Sequence, residues 1–384
     1  MKIIYIANIR LPTEKAHGIQ IMKMCEAFAL AGTDLELVIP TRINSDFSEV
    51  DPFVYYGVKR IFKIISLKTF DPAFLLAFPA GSYGKGQIFF FTIALFKYLR
   101  SIQTEDVLFY TRDEHLLPTL LKFSKKIVWE GHALSRRPQK FVKYFKACQK
   151  IAVLTKFLKK ILIDLDIQEK NILVAPDAVD LQIFDFYLTI PDARSKLNLP
   201  QEKIILGYTG TFRTKNISKG LETVFEALSM IADSKITFMA VGGAEADIKH
   251  YKNLARSMNL EERVVLLPKV DQSKVALYQK AFDVLLMPFP QNEHYADFMS
   301  PLKMFEYMAS NRPIVTTDLP SIREVLDEES AVFVEPDSAQ SLTSGIEKVL
   351  SDENLAQKIS AKAAELVKEY TWQNRARNIL NFSV

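Results

Sequence analysis

The sequence is poor in cysteine, with only Cys25 and Cys148 among its 384 residues. Two cysteines cannot build a disulfide framework, and neither stands in a spacing that would bind zinc, so a reducing compartment is expected. Long apolar runs are lacking too: the longest lies in residues 88–96, about half of what a membrane span requires. The opening MKIIYIANIRLP is typical of a first core strand and not of a signal peptide. We therefore expect a soluble cytoplasmic protein, or one peripheral on the inner face of the membrane.

Two nucleotide-related motifs are absent or stand in the wrong place. No Gly-x-Gly-x-x-Gly follows any predicted strand, which argues against a nicotinamide-dependent dehydrogenase. The Asp-x-Asp pattern occurs as Asp164-Leu165-Asp166, where a helix is predicted and not a metal-binding loop. We therefore predict no metal site and no cofactor.

What the chain does contain is a globular composition, with 48% hydrophobic and 24% charged residues. Its length fits two α/β domains of ordinary size. The net charge of +4 is uneven, because residues 1–190 carry 26 basic and 19 acidic side chains while the remainder is mildly acidic.

Part of this excess lies in residues 136–163, which hold no acidic side chain. A solvated helical face would explain the pattern, and so would a surface for anionic lipid or an anionic acceptor. Nucleic-acid binding is less attractive, since no matching module is present. The basic residues are Arg136, Arg137, Lys140, Lys143, Lys146, Lys150, Lys156, Lys159 and Lys160.

Short apolar runs alternate with helical patterns throughout, which predicts βαβ units and parallel sheets. The runs of the first half are 2–7, 35–39, 107–110, 127–129 and 151–154, with a helix over 18–31. Those of the second half are 203–208, 236–241, 264–267, 284–287, 313–315 and 331–334. Helices are predicted between them at 219–231, 247–257, 272–281, 302–309 and 339–350. Two doubly wound, Rossmann-like domains facing across a cleft would place sites at the carboxyl ends of the strands.

Three stretches at predicted strand ends carry the chemistry. Gly18 opens the first helix, where a glycine either helps to begin the helix or lets backbone amides approach a phosphate. In the second half, Gly210 and Arg213 follow a strand and Lys219 opens the next helix. Two cations there would stabilise a departing diphosphate, although loop cations are often merely exposed.

The third stretch is residues 298–309. Ser300 is expected to cap a helix that begins at Pro301, which leaves the amides of Leu302 and Lys303 free for an anion. Glu306 follows one turn later, where a carboxylate suits a diol such as ribose, or pairs with a lysine.

Taken in order, these stretches resemble retaining glycosyltransferase family 4 (group 1), whose GT-B fold joins two Rossmann-like domains. The resemblance includes Val241-Gly242-Gly243, Pro313-Ile314-Val315 and Glu335-Pro336-Asp337, and it is stronger over 203–340 than over 1–180. It implies an acceptor-binding domain at 1–185, with 368–384 crossing back onto it, and a nucleotide-sugar-binding domain at 186–367.

The resemblance also implies roles for particular residues. Arg213 and Lys219 correspond to the pair that holds the donor diphosphate, and Gly18, Leu302 and Lys303 to residues at its distal phosphate. Gly210 and Ser300 are further candidate donor-binding residues. Glu306 corresponds to the second Glu of a Glu-x7-Glu motif, which binds ribose, and His132 to the histidine near the reaction centre. Phe298 stands where the first Glu is expected, so either Asp297 or a backbone amide takes its place, or the donor sugar differs.

The implied activity is metal-independent transfer of a hexosyl group from a UDP- or GDP-sugar, with retention and without a dedicated base. For the acceptor, a lipid-linked glycan or cell-envelope polysaccharide precursor is expected, because Phe and Lys interleave in 83–100 and 136–150 as at a membrane interface. Candidate acceptor contacts are Arg112, Glu130, Arg136 and Arg137. The alternatives are another GT-B enzyme, or a non-catalytic nucleotide-sugar-binding partner of a transferase, which Phe298 permits.

Overall fold

The computed structural model describes residues 1–42, 47, 49–79, 81–214 and 217–383. The chain divides into two compact units by its internal contacts. Unit 1 is formed by Met1–Pro176 together with Trp372–Val384, and unit 2 is Asp177–Thr371.

Unit 1 is built on a parallel sheet whose described strands follow the order β3-β2-β1-β4-β5-β6-β7. The two central strands that follow β1 in this order are buried along their whole length, as expected where helices cover both faces of such a sheet. Tyr110 on β4 shows this packing, with its ring 4.8 Å from that of Tyr5 and 5.1 Å from that of Phe28. The strands are β1 (Lys2–Ile6), β2 (Asp34–Pro40), β3 (Lys63–Leu67), β4 (Val107–Thr111), β5 (Ile127–Gly131), β6 (Lys150–Val153) and β7 (Ile172–Val174).

The first helix of unit 1 buries Ile21, Met24, Cys25 and Phe28, the residues whose spacing predicts it. A 3-10 turn, Ala73–Ala77, precedes the long third helix. The helices are α1 (Ala16–Leu30), α2 (Pro52–Tyr56), α3 (Ser82–Arg100), α4 (Leu117–Leu120), α5 (Val142–Ala147), α6 (Lys156–Asp164) and α16 (Trp372–Ser383).

Unit 2 contains a second parallel sheet, in the order β12-β11-β8-β13-β14-β15, and a short antiparallel hairpin of β9 and β10. One apolar cluster lies on each face of the sheet, so its inner strands are buried on both sides. The strands are β8 (Ile204–Thr209), β9 (Arg213–Thr214), β10 (Ile217–Ser218), β11 (Ile236–Gly243), β12 (Val264–Pro268), β13 (Val284–Met287), β14 (Ile314–Thr317) and β15 (Val332–Val334).

Helices connect the strands of unit 2 in the βαβ pattern that the sequence predicts, and a single π-helical turn, His294–Phe298, lies before α12. The helices are α7 (Leu181–Phe184), α8 (Ile190–Leu197), α9 (Leu221–Met230), α10 (Glu245–Ser257), α11 (Gln272–Ala281), α12 (Leu302–Ser310), α13 (Pro320–Arg323), α14 (Ala339–Ser351) and α15 (Glu353–Leu366).

The structure divides the chain at Asp177 and Trp372, and not at 186 and 368 as predicted. Val179 and Phe184 are buried in an apolar cluster of unit 2, which draws the connecting segment into that unit. Tyr370 also belongs there, because its ring lies 5.2 Å from that of Phe305. The composition of this connection could not reveal its packing.

The basic segment 136–163 is not the single helical face that one interpretation of the sequence requires. It runs through a 3-10 turn (Pro138–Lys140), α5, β6 and most of α6. Its rings turn inward: Phe145 is 1% exposed and stacks on Trp129, and Phe141 stacks on His115.

Candidate functional site

The carboxyl end of β8 is shaped by two glycines in backbone conformations that other residues rarely adopt. Gly210 has φ of +118° and donates its amide to the Val241 carbonyl at 2.8 Å, while Gly242 has φ of +122°. A Cβ on Gly242 would lie only 2.7 Å from the Gly210 carbonyl oxygen. The ends of β8 and β11 therefore approach each other more closely than side chains would permit.

Lys303 brings a buried ammonium group to this strand end. Its residue is 8% exposed, and its Nζ lies 3.4 Å from the centroid of the Tyr208 ring. Among the described residues Nζ has no hydrogen-bond partner. Burial and the nearby Lys219 lower the pKa of Lys303 well below its usual range, while Glu306 opposes the shift. Such a group is costly to bury unless an anion joins it.

Lys219 lies beside this group, just before α9. Its Nζ donates to the hydroxyl of Thr211 at 2.7 Å, and although the residue is half-buried, desolvation lowers its pKa to about 8. The following Gly220 has φ of +87°, and a Cβ there would overlap the carbonyl oxygen of Pro288. The glycine thus lets the start of α9 pack directly against the end of β13.

Arg213 lies on the β9–β10 hairpin, whose register pairs it with Ser218 and so brings it close to Lys219 in the fold. Its guanidinium is bound to Asp247 of α10, with Nε–Oδ1 and Nη2–Oδ1 distances of 2.7 and 2.6 Å. This ion pair raises the pKa of Arg213. Arg213 therefore lies on a short antiparallel strand pair where a strand-end loop is predicted, and it is already held by a carboxylate.

Glu306 lies one turn along α12 from Lys303. Gln279 donates to its carboxylate at 3.4 Å and to the Thr209 hydroxyl at 3.0 Å. Burial raises the pKa of Glu306 to about 7, although Lys303 and Gln279 act in the opposite direction. The predicted lysine neighbour is thus present, but the direct hydrogen bond comes from Gln279.

The start of α12 differs from its prediction. The helix begins at Leu302 with Pro301 in the capping position, and no side chain in the described part of the chain caps it. The Ser300 hydroxyl instead accepts a hydrogen bond from the amide of Asp177 at 2.8 Å, which ties the segment entering unit 2 to this turn. Within the described part of the chain, no hydrogen bond is found for the amides of Leu302 and Lys303, and such amides suit an anion.

Asp297 and Phe298 occupy the π-helical turn before this helix, and both are half-buried. They precede the uncapped turn at Ser300 in the chain. Their predicted part in donor-sugar recognition stays a prediction.

Unit 1 contains a buried polar cluster around Glu130 at the end of β5. The carboxylate is 0% exposed and receives hydrogen bonds from Gln20 at 2.7 Å, from Tyr110 and from Arg375 of α16 at 3.1 Å, and it contacts His132 Nε2. Burial opposes ionisation, but Arg375, then His132 and Arg112, hold the pKa of Glu130 well below its usual range.

This cluster corrects the expectation that Glu130 contacts an acceptor, because a fully buried carboxylate with four partners faces no solvent. Sequence analysis missed Gln20, Tyr110 and Arg375. The first two lie on a helix and a strand that are read as core, and Arg375 comes from the last helix. Arg375 does not stand in any motif that would mark it as part of a site.

Burial and Arg112 lower the pKa of His132 to about 4, while Glu130 opposes the shift, so the imidazole is neutral at pH 7. A neutral imidazole donates from one ring nitrogen only. With Nε2 directed at the Glu130 carboxylate, that nitrogen carries the proton and Nδ1 is left as an acceptor. Arg112 donates to the Gln20 side-chain oxygen at 2.6 Å and so belongs to the same cluster.

A glycine is needed at position 18 for a structural reason that the sequence could not reveal. A Cβ at this position would overlap the hydroxyl of Tyr56, and Thr13 Cγ2 would lie 2.8 Å from it. Tyr56 in turn exchanges hydrogen bonds of 2.8 and 2.9 Å with the backbone of Thr13. The glycine thus leaves room for the Tyr56 hydroxyl, which holds the loop before α1 in place. The space beside the glycine is filled by protein.

Arg136 and Arg137 are exposed on the segment after β5. Their predicted acceptor contacts stay predictions. Across the described ranges, no group of three His, Cys, Asp or Glu side chains is arranged to hold a metal ion. The same residues contain no helix long and apolar enough to cross a membrane.

Two Rossmann-like units define the GT-B class of fold, and similar solved structures agree. Sucrose-phosphate synthase from Thermosynechococcus elongatus matches with a TM-score of 0.77 at 19% identity, over 99% of this chain and 98% of that one. HepE from Anabaena in complex with UDP matches with a TM-score of 0.75 at 14% identity, over 99% of both chains. The predicted fold class is confirmed.

Residues 189–366 match the family model of glycosyl transferases group 1. All of the matched residues lie within unit 2. A putative teichuronic acid biosynthesis glycosyltransferase, TuaH of Bacillus subtilis, is 26% identical over 54% of this chain and 49% of its own length. D-inositol 3-phosphate glycosyltransferase of Corynebacterium diphtheriae is 27% identical over 49% and 44%. Each match thus spans about half of the relative.

Proposed function

We propose that the protein transfers a hexosyl group from a UDP- or GDP-sugar to a hydroxyl of a lipid-linked glycan or cell-envelope polysaccharide precursor. The transfer would retain the anomeric configuration and need no metal ion. The UDP complex of HepE and the teichuronic acid assignment of TuaH support the donor and acceptor classes.

The ammonium of Lys303 is the observation that carries this proposal. It is buried without a hydrogen-bond partner among the described residues, at the start of α12, and Lys219 is close enough to lower its pKa. Two lysines and a helix N-terminus in one place favour a multiply charged anion. The diphosphate of a nucleotide can bind both lysines and the helix N-terminus, and Glu306 one turn further along suits the hydroxyl pair of a ribose.

In the proposed reaction, the bond between the anomeric carbon and the diphosphate oxygen breaks while the acceptor oxygen bonds to that carbon. The acceptor proton passes to the leaving phosphate oxygen, so no dedicated base is required. Lys303 and Lys219 would stabilise the charge that grows on the diphosphate. Arg213 would contribute from its place beside Lys219, oriented by Asp247. His132 would take part as a neutral hydrogen-bonding group.

A thermal-shift panel of nucleotides and nucleotide sugars, with and without EDTA, tests the donor site without an acceptor. We expect UDP or GDP and their sugars to raise the midpoint equally with EDTA, and Glu306→Ala and Arg213→Ala to lose the shift. Arg323→Ala is the matched control, because Arg323 is also a partly exposed arginine that pairs with an aspartate. If no nucleotide shifted the midpoint at millimolar concentration, the proposal that the protein is a transferase would be rejected.

A further inference from the structure

Unit 1 presents a set of large apolar side chains to solvent in the region between β3 and the end of α3. They are between 40% and 68% exposed, whereas scattered single exposed apolar residues are ordinary and contiguous ones mark contact sites. We call this set the apolar surface: Phe70, Phe74, Leu76, Phe78, Phe89 and Ile93.

The apolar surface is a connected structure and not a collection of separate side chains. Phe70 lies 5.0 Å from Phe90 and 6.3 Å from Phe74, and Phe89 lies 5.3 Å from Phe90, measured between ring centroids. The turn Ala73–Ala77 packs closely on α3 at Gly86, where a Cβ would lie 2.8 Å from Pro72 Cγ. The turn and the helix therefore present their exposed rings together.

Charge around the apolar surface is of one sign. Residues 59–100 contain seven basic side chains and one acidic one, Asp71. Along α3, exposed residues recur every fourth position as Lys85, Phe89, Ile93 and Lys97, which places two apolar side chains between two lysines on one face.

This combination differs from the basic segment 136–160, where the sequence also suggests a membrane contact. There Phe141 and Phe145 pack inward, Lys146 pairs with Asp166, and Lys159 lies 2.9 Å from Glu169. Cations without exposed rings give at most a weak electrostatic contact. The apolar surface offers both components.

We infer that the apolar surface docks the protein onto an anionic lipid bilayer, with its rings among the acyl chains and its lysines at the lipid phosphates. A second copy of the chain is a poorer occupant, because a two-fold interface sets a patch against itself and would oppose the two lysine-rich rims. The inference rests on the proposed function in one respect only: docking on the bilayer would bring the protein to a lipid-linked acceptor.

Flotation with vesicles tests this directly on the whole protein. Phosphatidylcholine vesicles with added phosphatidylglycerol should carry the wild type upward, and pure phosphatidylcholine or high salt should carry much less. The double variant Phe74→Ser/Leu76→Ser should lower the partition coefficient by about tenfold or more, because two large apolar side chains no longer enter the bilayer. Lys85→Glu/Lys97→Glu should abolish the preference for anionic lipid.

Matched controls locate the effect. Lys140→Glu/Lys143→Glu makes the same charge change on the other basic segment, and Tyr187→Ser removes an aromatic side chain that is 91% exposed in unit 2. Both should float like the wild type. Equal flotation of Phe74→Ser/Leu76→Ser and the wild type would overturn the inference. So would light scattering that shows a dimer for the wild type and the control variants but a monomer for this double variant. Nucleotide thermal shifts measured on the same variants report separately on the donor site.

Discussion

The ammonium of Lys303 lies over the face of the Tyr208 ring, with Nζ 3.4 Å from the ring centroid. An aromatic face attracts a cation but does not replace the hydrogen bonds that the ammonium loses on burial. The group is therefore held in place and left unsatisfied, as a binding site for an anion requires.

Replacing Lys303 by methionine should separate binding from stability. We expect Lys303→Met to abolish the nucleotide thermal shift while leaving the free energy of unfolding unchanged or raising it by about 1 kcal/mol or more, since an unpaired buried charge is removed. Chemical unfolding with and without UDP or GDP measures both quantities.

Lys280 provides the matched control. It is also buried, at 3% exposure, but its Nζ donates to the Ser310 carbonyl at 2.8 Å. Lys280→Met should therefore lower the free energy of unfolding by about 1–3 kcal/mol, because it leaves that carbonyl without its partner, and should keep the nucleotide shift. The opposite pattern in the two variants would remove Lys303 from the site.

Nucleotide binding should take up protons near pH 8. The pKa of Lys219 is lowered to about 8, so part of this side chain's population is neutral at that pH, and the pKa of Lys303 is shifted in the same direction. A bound diphosphate raises both pKa values, and the affinity should decline as pH rises above about 8. Glu306, whose pKa is about 7, is mostly ionised there and contributes little.

Titration calorimetry with UDP or GDP in buffers of different ionisation enthalpy measures the proton uptake. The observed enthalpy should change with the buffer in the direction of uptake, and Lys219→Met should reduce the dependence. Proton release at pH 8 would be incompatible with a diphosphate bound at these lysines.

The pair of Glu130 and Arg375 should be essential for unit 1. Arg375→Met leaves a fully buried carboxylate without its main cation, which should cost about 3–5 kcal/mol of unfolding free energy. Arg377→Met, on the exposed side of the same helix, should change it by less than about 0.5 kcal/mol. Denaturant unfolding compares the two variants, and similar losses in both would show that the helix, and not the ion pair, is what matters.

Acid should destabilise unit 1 through His132. Its pKa is about 4 in the folded protein and near 6.5 when exposed, so the unfolded chain binds the proton first. The unfolding free energy should therefore fall as pH decreases from 6.5 to 4. The stability that the neutral imidazole contributes is fully present only above the pKa of His132 in the unfolded chain.

His132→Asn should flatten this part of the pH profile, and exposed His250→Asn should leave it as in the wild type. Urea unfolding at several pH values gives the comparison. An unchanged slope in His132→Asn would show that the imidazole is already protonated in the folded protein.

Much of the fold follows from local patterns. The bounds predicted for α11 and β13 agree with the structure because Asp271 caps the helix and an uninterrupted buried run forms the strand. The edge strand β3 is not predicted, since none of its KIISL run is fully buried. The helix α3 was missed as well, because apolar residues on its exposed face obscure the helical period.

The site was less accessible to sequence than the fold. Arg213, Lys219 and Glu306 stand in recognisable motifs, but the pairing of Arg213 with Asp247 and of Ser300 with Asp177 spans 34 and 123 residues. The polarity of Lys303 does not indicate burial either. Its environment depends on Gly210 and Tyr208, which the sheet brings to it.

Unit 1 consists of two pieces of chain, and this has a consequence for its synthesis. Arg375 leaves the ribosome 245 residues after Glu130. While all of unit 2 is being translated, the sheet of unit 1 must therefore keep a carboxylate at its centre without the guanidinium that balances it. The nascent unit should remain partly open, accessible to chaperones and proteases, until α16 arrives.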